Sequence, residues 1–487
     1  MPGLVNRYNY LFRSTQGLIL VAVALIALTT AFFGMISGPM ADLGIRDVWV
    51  KWFNLSLIPA EREGRIVMLY HTIAMAVIAI ETYIITGIIA MKQNERTNIN
   101  AIITVGYIAS LIGGLVFAYF GHNWIFHGIF IAGQSLIFFA GILLAIALFP
   151  WNKNYPARGA EYSGWKGIDL ERAAFFTMTV ATLGSALFGA IPGSYSGNGF
   201  QVFLAEDVVR EVNKTALQLA VIGHLHIMLT LIAVALALIV GRWLDFKGRL
   251  HKIAMPLMIL GTIILTLGVW LVVPFEEIAH TIIYVGSVGV LLAALFLVIF
   301  GFDKLIRERL AEQKISNANI TQKIAALLHD PLKFGALWQM VYMNFVVTFI
   351  GIFMAIRLDK VIRVWQQREE RITLTGHWHI LAGIIATIIL FYYADLVGLQ
   401  GRARKLFGWF IIIASDVAFG AAAFFATKRL YVDETSQQPV VDVVMLMIDA
   451  GLATVLTTLA VFLVWRLIDL FKKDGRWKRE LVEGVSK

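Results

Sequence analysis

LTGHWHILAGIIATIILFYYADLV, residues 374–397, is the stretch on which the fold turns. It is long and apolar enough to cross a bilayer, since a spanning helix needs about 20 mostly hydrophobic residues. Yet it opens on two histidines, His377 and His379, and ionisable groups inside a membrane are expensive and usually functional. Eleven more stretches of this kind lie near 17–37, 66–91, 99–119, 126–149, 173–193, 216–241, 253–273, 280–302, 336–357, 406–427 and 443–465. The reading is an all-α integral membrane protein with twelve transmembrane helices. Before the first stretch, Arg7 and Arg13 imitate the start of a signal peptide. The apolar run that follows is too long, and no small-residue cleavage site is evident, so it is expected to be a retained helix.

Composition agrees. The chain has 487 residues, 59% of them hydrophobic, 12% aromatic and 15% charged. A soluble domain carries about a quarter charged residues, so a soluble enzyme, a disordered chain, a nucleic-acid binder and a fibrous repeat are excluded. The net charge of +9 matters through its placement. With the N-terminus inside, 28 of the 41 Lys and Arg fall in the termini and even-numbered loops. That bias places both termini in the cytoplasm and the protein in the cell inner (cytoplasmic) membrane as a multi-pass chain. Cysteine is absent. Disulfides, thiolate-bound zinc, iron–sulfur clusters, covalent C-x-x-C-H haem and a Cys-bridged copper centre go with it. No linker divides the chain, so 1–487 is read as one membrane domain. Residues 303–335 mix charge with Leu and Ile at helical spacing and are expected to form an inner amphipathic helix. The outer loops 38–65 and 194–215 are long enough for a periplasmic cap.

The histidines have a period. Gly223-His224-Leu225-His226 and Gly376-His377-Trp378-His379 share one form, 153 residues apart, and a further 153 residues upstream stands His71. Arg65, Gln218 and Arg371 each precede the first histidine of their copy by six residues. Three units of four helices, near 17–149, 173–302 and 336–465, account for all twelve stretches. Within each pair, residues i and i+2 on an α-helix point about 200° apart, so they serve centres on opposite faces rather than chelate one ion. Three such helices around an axis give slots between neighbours. One slot pairs His71 with His379, the next His377 with His226, and the third sets His224 against Ile73, which cannot ligate. His251 and His329 at the inner loops read as packing residues.

Helix 10, with Gly376-His377-Trp378-His379-Ile380-Leu381, and the histidine of helix 2 together resemble subunit I of the haem-copper oxidase and nitric oxide reductase superfamily. That family has twelve helices in a pseudo-threefold ring with both termini inside. The resemblance implies that His71 and His379 hold a low-spin haem and that His377 is proximal ligand to a second. It also implies that Lys428-Arg429, after helix 11, meets haem propionates. The family's copper or non-haem iron uses a helix 6 histidine and an adjacent His-His at helix 7. No His-His occurs in this chain, and Met228 stands where the oxidase has its cross-linked tyrosine. Helix 6 carries His226 instead, on the face where copper would sit. No copper is therefore expected, and the second haem is closed to gas ligands.

The expected cofactors are two non-covalent b-type haems, both near the outer face, with Arg65 and Arg371 beside the propionates. The expected function is a dihaem cytochrome subunit of a respiratory complex, an oxidoreductase component without its own gas-reducing site. It would carry electrons between membrane quinone or quinol and periplasmic or membrane-bound redox partner subunits, cytochrome c among the candidates, within membrane lipid and without nucleic acid. His127, His280 and Met445 stand at equivalent outer positions of helices 4, 8 and 12, and the two histidines are candidate quinone sites. Glu81, Asp416 and Asp449 are carboxylates inside stretches and candidate proton sites. The alternatives are a divergent terminal oxidase or nitric oxide reductase using His224, and a transporter with a histidine proton relay.

Overall fold

A computed structural model of the chain describes residues 2–37, 44–58, 62–120, 123–164, 167–195, 214–357, 360–361 and 367–486. Among these residues the chain is helical, with no strand beyond a lone bridge between Ser163 and Asp169. Twelve helices are long and apolar enough to cross a membrane. Spans 1 to 6 are Thr15–Ile36, Met68–Ile88, Gln93–Tyr119, Trp124–Ala147, Leu170–Gly193 and Ala216–Trp243. Spans 7 to 12 are Gly248–Leu271, Glu276–Glu312, Pro331–Met354, Gly376–Leu396, Gly401–Leu430 and Gln437–Phe471. The chain is an all-α, multi-pass membrane protein, as its sequence reads.

Local chemistry sets where the helices start. Asn123 caps span 4 by accepting from the Ile125 N–H at 2.8 Å, and Asp330 caps span 9 ahead of Pro331 at the first helical position. Glu95 reaches back to the Lys92 N–H at 3.0 Å to open span 3. Spans 10 and 11 are joined by a short link with Gly398 and Gly401 at φ of 68° and 62°, where a side chain would be strained. Spans 3 and 4 approach closely through small residues. A Cβ on Gly133 would stand 2.5 Å from the Ser110 backbone nitrogen, the close backbone approach on which helix pairs in lipid depend.

One region differs from the sequence reading, and the two expected cap loops are described only in part. Residues 303–312 continue span 8, which runs 37 residues without a break. Only Ile320–Leu327 forms a separate short helix before span 9. No breaker interrupts span 8 at the membrane edge, and the pair Lys304–Glu308 at 3.4 Å supports its projecting turns. The expected inner amphipathic helix over 303–335 is thus divided among the extension of span 8, the short helix Ile320–Leu327 and the start of span 9. The expected cap over 38–65 contains one nine-residue helix, Ile45–Phe53, whose Trp49 stacks on Phe53 at 4.8 Å and meets Phe32 of span 1 edge-on at 5.6 Å. Most of the loop 194–215 lies outside the described residues. Span 9 contains a six-residue π-helical stretch, Tyr342–Val347.

The helices group into two compact units, and the chain passes between them inside spans 6, 7 and 8 and once more at the turn before Arg476. The first comprises Met1–Ala235, Met255–Val290 and Arg476–Lys487. Its core includes Ile36, Leu55, Met68, Phe117 and Phe130 beneath the helix Ile45–Phe53. In the same unit the N-terminal helix Pro2–Arg13 meets the C-terminal helix Arg476–Ser486: the Tyr10 hydroxyl donates to Glu480 at 2.7 Å, beside a buried Trp477. The second unit comprises Leu236–Ala254 and Leu291–Gly475. Arg404 binds Asp330 with both Nη2 contacts at 2.8 Å and also donates to Asp395, while Trp243 donates to Asp395 at 2.7 Å. That network ties the ends of spans 6, 9, 10 and 11 together.

Candidate functional site

In the first unit the helix Arg62–Ile88 carries His71 and span 6 carries His224 and His226. The imidazoles of His71 and His224 lie nearly parallel, 13° apart in plane, with ring centres separated by 5.9 Å. His224 is held from behind. Its Nδ1 is 2.9 Å from the Ser185 carbonyl of span 5, and the Ser185 hydroxyl accepts from Trp270 Nε1 at 3.3 Å. Gly189, one turn along span 5, makes room for the ring: a Cβ there would come within 2.2 Å of His224 Nδ1. His226 leaves the opposite side of its helix, exposed, with Nδ1 2.8 Å from the Ile222 carbonyl. The i, i+2 argument for opposite faces therefore holds at this pair, while the partner facing His224 is His71 rather than Ile73.

In the second unit the helix Gln367–Leu396 carries His377, half-buried, and His379, exposed. Gly351 of span 9 lies against His377, where a Cβ would approach the ring to 2.9 Å. His224 and His377 thus share one device, a glycine on the preceding span that leaves space for the imidazole. Span 11 ends at Lys428, which is buried with its ammonium 4.3 Å from the Phe425 ring centre. Next to it the Nε of Arg429 is buried and meets no hydrogen-bond acceptor among the described residues. Thr373, near the start of span 10, donates to the Ala426 carbonyl at 2.9 Å and fixes that corner.

The helices of His71 and His377 begin earlier than their sequence suggests. Polar segments such as Gln367-Arg368-Glu369-Glu370-Arg371 extend span 10 outward, so His377 stands ten residues, not one turn, from the helix start. Arg65 is buried, and the side chain of Arg371 lies outside the described residues. His251 is buried against Phe246, edge-on at 5.4 Å, the packing role expected of it.

The other candidates fall into distinct surroundings. His127 is partly exposed, 5.1 Å from the Phe117 ring and 5.5 Å from Trp124, an aromatic packing site. His280 is exposed near the start of span 8, and Met445 is partly exposed. Glu81 is 4% exposed, and its Oε1 has no hydrogen-bond partner among the described residues. Span 2 also joins span 3 through Tyr83–Thr104 at 2.6 Å and Thr86–Asn100 at 2.9 Å. Asp416 accepts from Trp338 Nε1 at 2.9 Å and Gln339 Nε2 at 3.3 Å. Asp449 lies on span 12, partly exposed.

The donor chemistry is imidazole, in pairs rather than clusters. Among the described residues no three His, Asp or Glu converge as a metal-holding group. Metal-ligating histidines donate their second ring nitrogen to a carbonyl or carboxylate. The Nδ1 contact of His224 to a backbone carbonyl leaves its Nε2 as the nitrogen that could meet a metal. Ser185, Gly189, Trp270 and Gly351 belong to the site without having been visible in the histidine pattern. A glycine opposite a histidine on a neighbouring span is their only signal, and it becomes readable once the packing is known. Comparison with protein-family models, curated proteins and solved structures gives no match to the chain.

Proposed function

We propose that this protein is a membrane-embedded dihaem b-type cytochrome, the electron-transfer subunit of a larger respiratory complex in the cytoplasmic membrane. The observation that carries the reading is the His71–His224 pair. The ring centres of His71 and His224 stand 5.9 Å apart with the rings stacked, close to the roughly 6 Å at which two imidazoles would hold one metal through bonds of about 2 Å, so the pair would hold a metal once the ring edges turn toward it. Ser185 fixes the His224 ring and its tautomer, as a carbonyl does behind a metal-bound imidazole. The residues therefore suit an iron porphyrin held without covalent attachment, in a chain with no cysteine. When bound, such a group supplies one-electron redox chemistry.

The chain's own residues supply the rest. His71, His224, His226, His377 and His379 are the axial-ligand candidates. The buried, unanswered Nε of Arg429 and the neighbouring Lys428 ammonium suit carboxylates such as propionates. Quinone or quinol is the membrane-side redox partner and a cytochrome c-like protein the periplasmic one, and buried Glu81 is the candidate for holding a proton during quinol oxidation. The resemblance gives His71 a partner on span 10, whereas the first unit sets His224 beside it, so His224 is an axial-ligand candidate in its own right.

The test is a redox titration of the purified protein in lipid nanodiscs without oxygen. Added quinol is expected to raise the reduced b-type α-bands, oxidised cytochrome c to discharge them, and carbon monoxide to leave the reduced spectrum unchanged. A carbon monoxide shift sinks the closed-haem reading and favours a gas-reducing enzyme. A protein without haem favours the histidine-relay transporter.

A further inference from the structure

We infer that span 12 is the docking face for a transmembrane helix of a different chain, one that presents a Lys or Arg level with Asp449. The inference does not depend on what the histidines bind. Only 11% of span 12 is buried by the rest of the protein, against 28–61% for the other spans. The face it does bury is set by Val444, Gly451 and Phe462. A Cβ on Gly451 would lie 2.6 Å from the Ala414 carbonyl of span 11, and Phe462 meets Phe407 at 5.0 Å. At about 100° per residue, those three side chains leave the helix roughly 140–160° round from Asp449. Leu446, Leu456, Val464 and Leu467, all more than half exposed, leave on the Asp449 side, as do the exposed Ala453 and Ala460.

Asp449 therefore sits in the middle of the face that turns away from its own protein. It is six residues inside the apolar stretch 443–465, or about 9 Å of helix, which is within the hydrocarbon. Its carboxyl takes part in no hydrogen bond, ion pair or charge interaction among the described residues. Two other carboxylates of the spans are provided for: Asp416 by Trp338 and Gln339, and Asp442, on the same face near the helix start, by Gln438 at 2.9 Å. A carboxyl facing acyl chains without a partner is rare in membrane helices, where such groups pair with donors or opposite charges. The chain itself places its Lys and Arg in loops or near the ends of spans, with none exposed at mid-span. A second copy of this chain therefore brings no lysine or arginine to the depth of Asp449. The complementary partner is another protein whose spanning helix carries a basic side chain, with Ala453 and Ala460 allowing close backbone approach.

The absence of cysteine makes the test direct, because one introduced thiol is unique. A benzophenone maleimide attached at Ala453→Cys is photolysed in native membranes, with Phe139→Cys, on the exposed side of span 4, as the lipid-facing control. The expected result at 453 is a single protein adduct whose cross-linked peptide is a transmembrane segment containing Lys or Arg, while 139 yields lipid adducts. Adding Asp449→Leu, or Asp449→Asn, which keeps the shape and removes the charge, is expected to lower the protein adduct at least tenfold while the 139 adducts and the melting temperature hold. Lipid adducts alone at 453 overturn the inference, as does an adduct to a second copy of this chain, to a segment without a basic residue, or one unchanged by both Asp449 variants.

Discussion

Gly189 leaves no space for any side chain, because a Cβ would fall 2.2 Å from His224 Nδ1. Gly189→Ala must therefore move the imidazole or the helix, at a cost of about 1–3 kcal/mol of the kind seen when a packed interior is overfilled. We expect the purified Gly189→Ala protein to show the same haem deficit as His224→Ala, while still inserting in the membrane. Equal haem content in Gly189→Ala and the parent would show that His224 needs no fixed position. His226 makes the complementary case, since it is exposed and leaves the opposite side of span 6. His226→Ala is expected to open one haem to carbon monoxide and leave the other closed, read from the reduced spectrum. Carbon monoxide binding at both haems, or at neither, would contradict two separate sites on the two faces of span 6. At this scale the sequence is informative where chemistry is spelled by residue type. His71, His224, His226, His377 and His379 stand out as imidazoles inside apolar helices. What faces each imidazole depends on helix rotation and depth, and neither leaves a trace in spacing alone, so the neighbour of His224 emerges only from packing.

At the scale of elements, the twelve spans are legible because each is a run of apolar residues of bilayer length, the strongest signal an amino-acid sequence carries. Their ends are not. Span 8 continues through Asp303, Lys304, Arg307 and Glu308 because polar residues are no obstacle to a helix once it has left the lipid. The π-helical stretch Tyr342–Val347 in span 9 likewise has no marker in its composition. In the second unit the element ends are tied by Arg404, whose side chain is 18% exposed between Asp330 at 14% and Asp395 at 25%. Removing the cation leaves two neighbouring carboxylates without compensation. Arg404→Met is expected to destabilise by about 2–3 kcal/mol, less than for a fully buried pair because water partly screens the site. The check is the thermal unfolding midpoint in nanodiscs, with Asp330→Asn and Arg404→Met combined losing less than the sum of the two single changes.

For the whole molecule, an even number of spans returns the chain to the side on which it began. The first unit shows the two ends together, through Tyr10 and Glu480 at 2.7 Å. The charge bias predicts which side that is. In a chain without cysteine, Leu4→Cys and Val482→Cys, both at exposed positions, are expected to resist a membrane-impermeant maleimide in intact spheroplasts and to react after lysis. Tyr431→Cys, exposed beyond the end of span 11, is expected to react in both. Reaction of the terminal thiols in intact cells would reverse the orientation. The grouping into two units is the part of the architecture least visible beforehand. Three of the four crossings fall within spans 6, 7 and 8, and only the last, at the turn before Arg476, lies between helices. A boundary inside a continuous helix changes neither hydropathy nor composition.

The central claim is that the histidines of spans 2, 6 and 10 hold haem, and the haem content of the purified protein tests it most directly. Pyridine haemochrome analysis of the parent chain and of the His71→Ala, His224→Ala double variant is the measurement. The account predicts about two protohaems per chain in the parent, non-covalently bound, and a clear loss in the double variant. A parent chain that purifies folded and without protohaem, or a double variant that keeps its full complement, would contradict it.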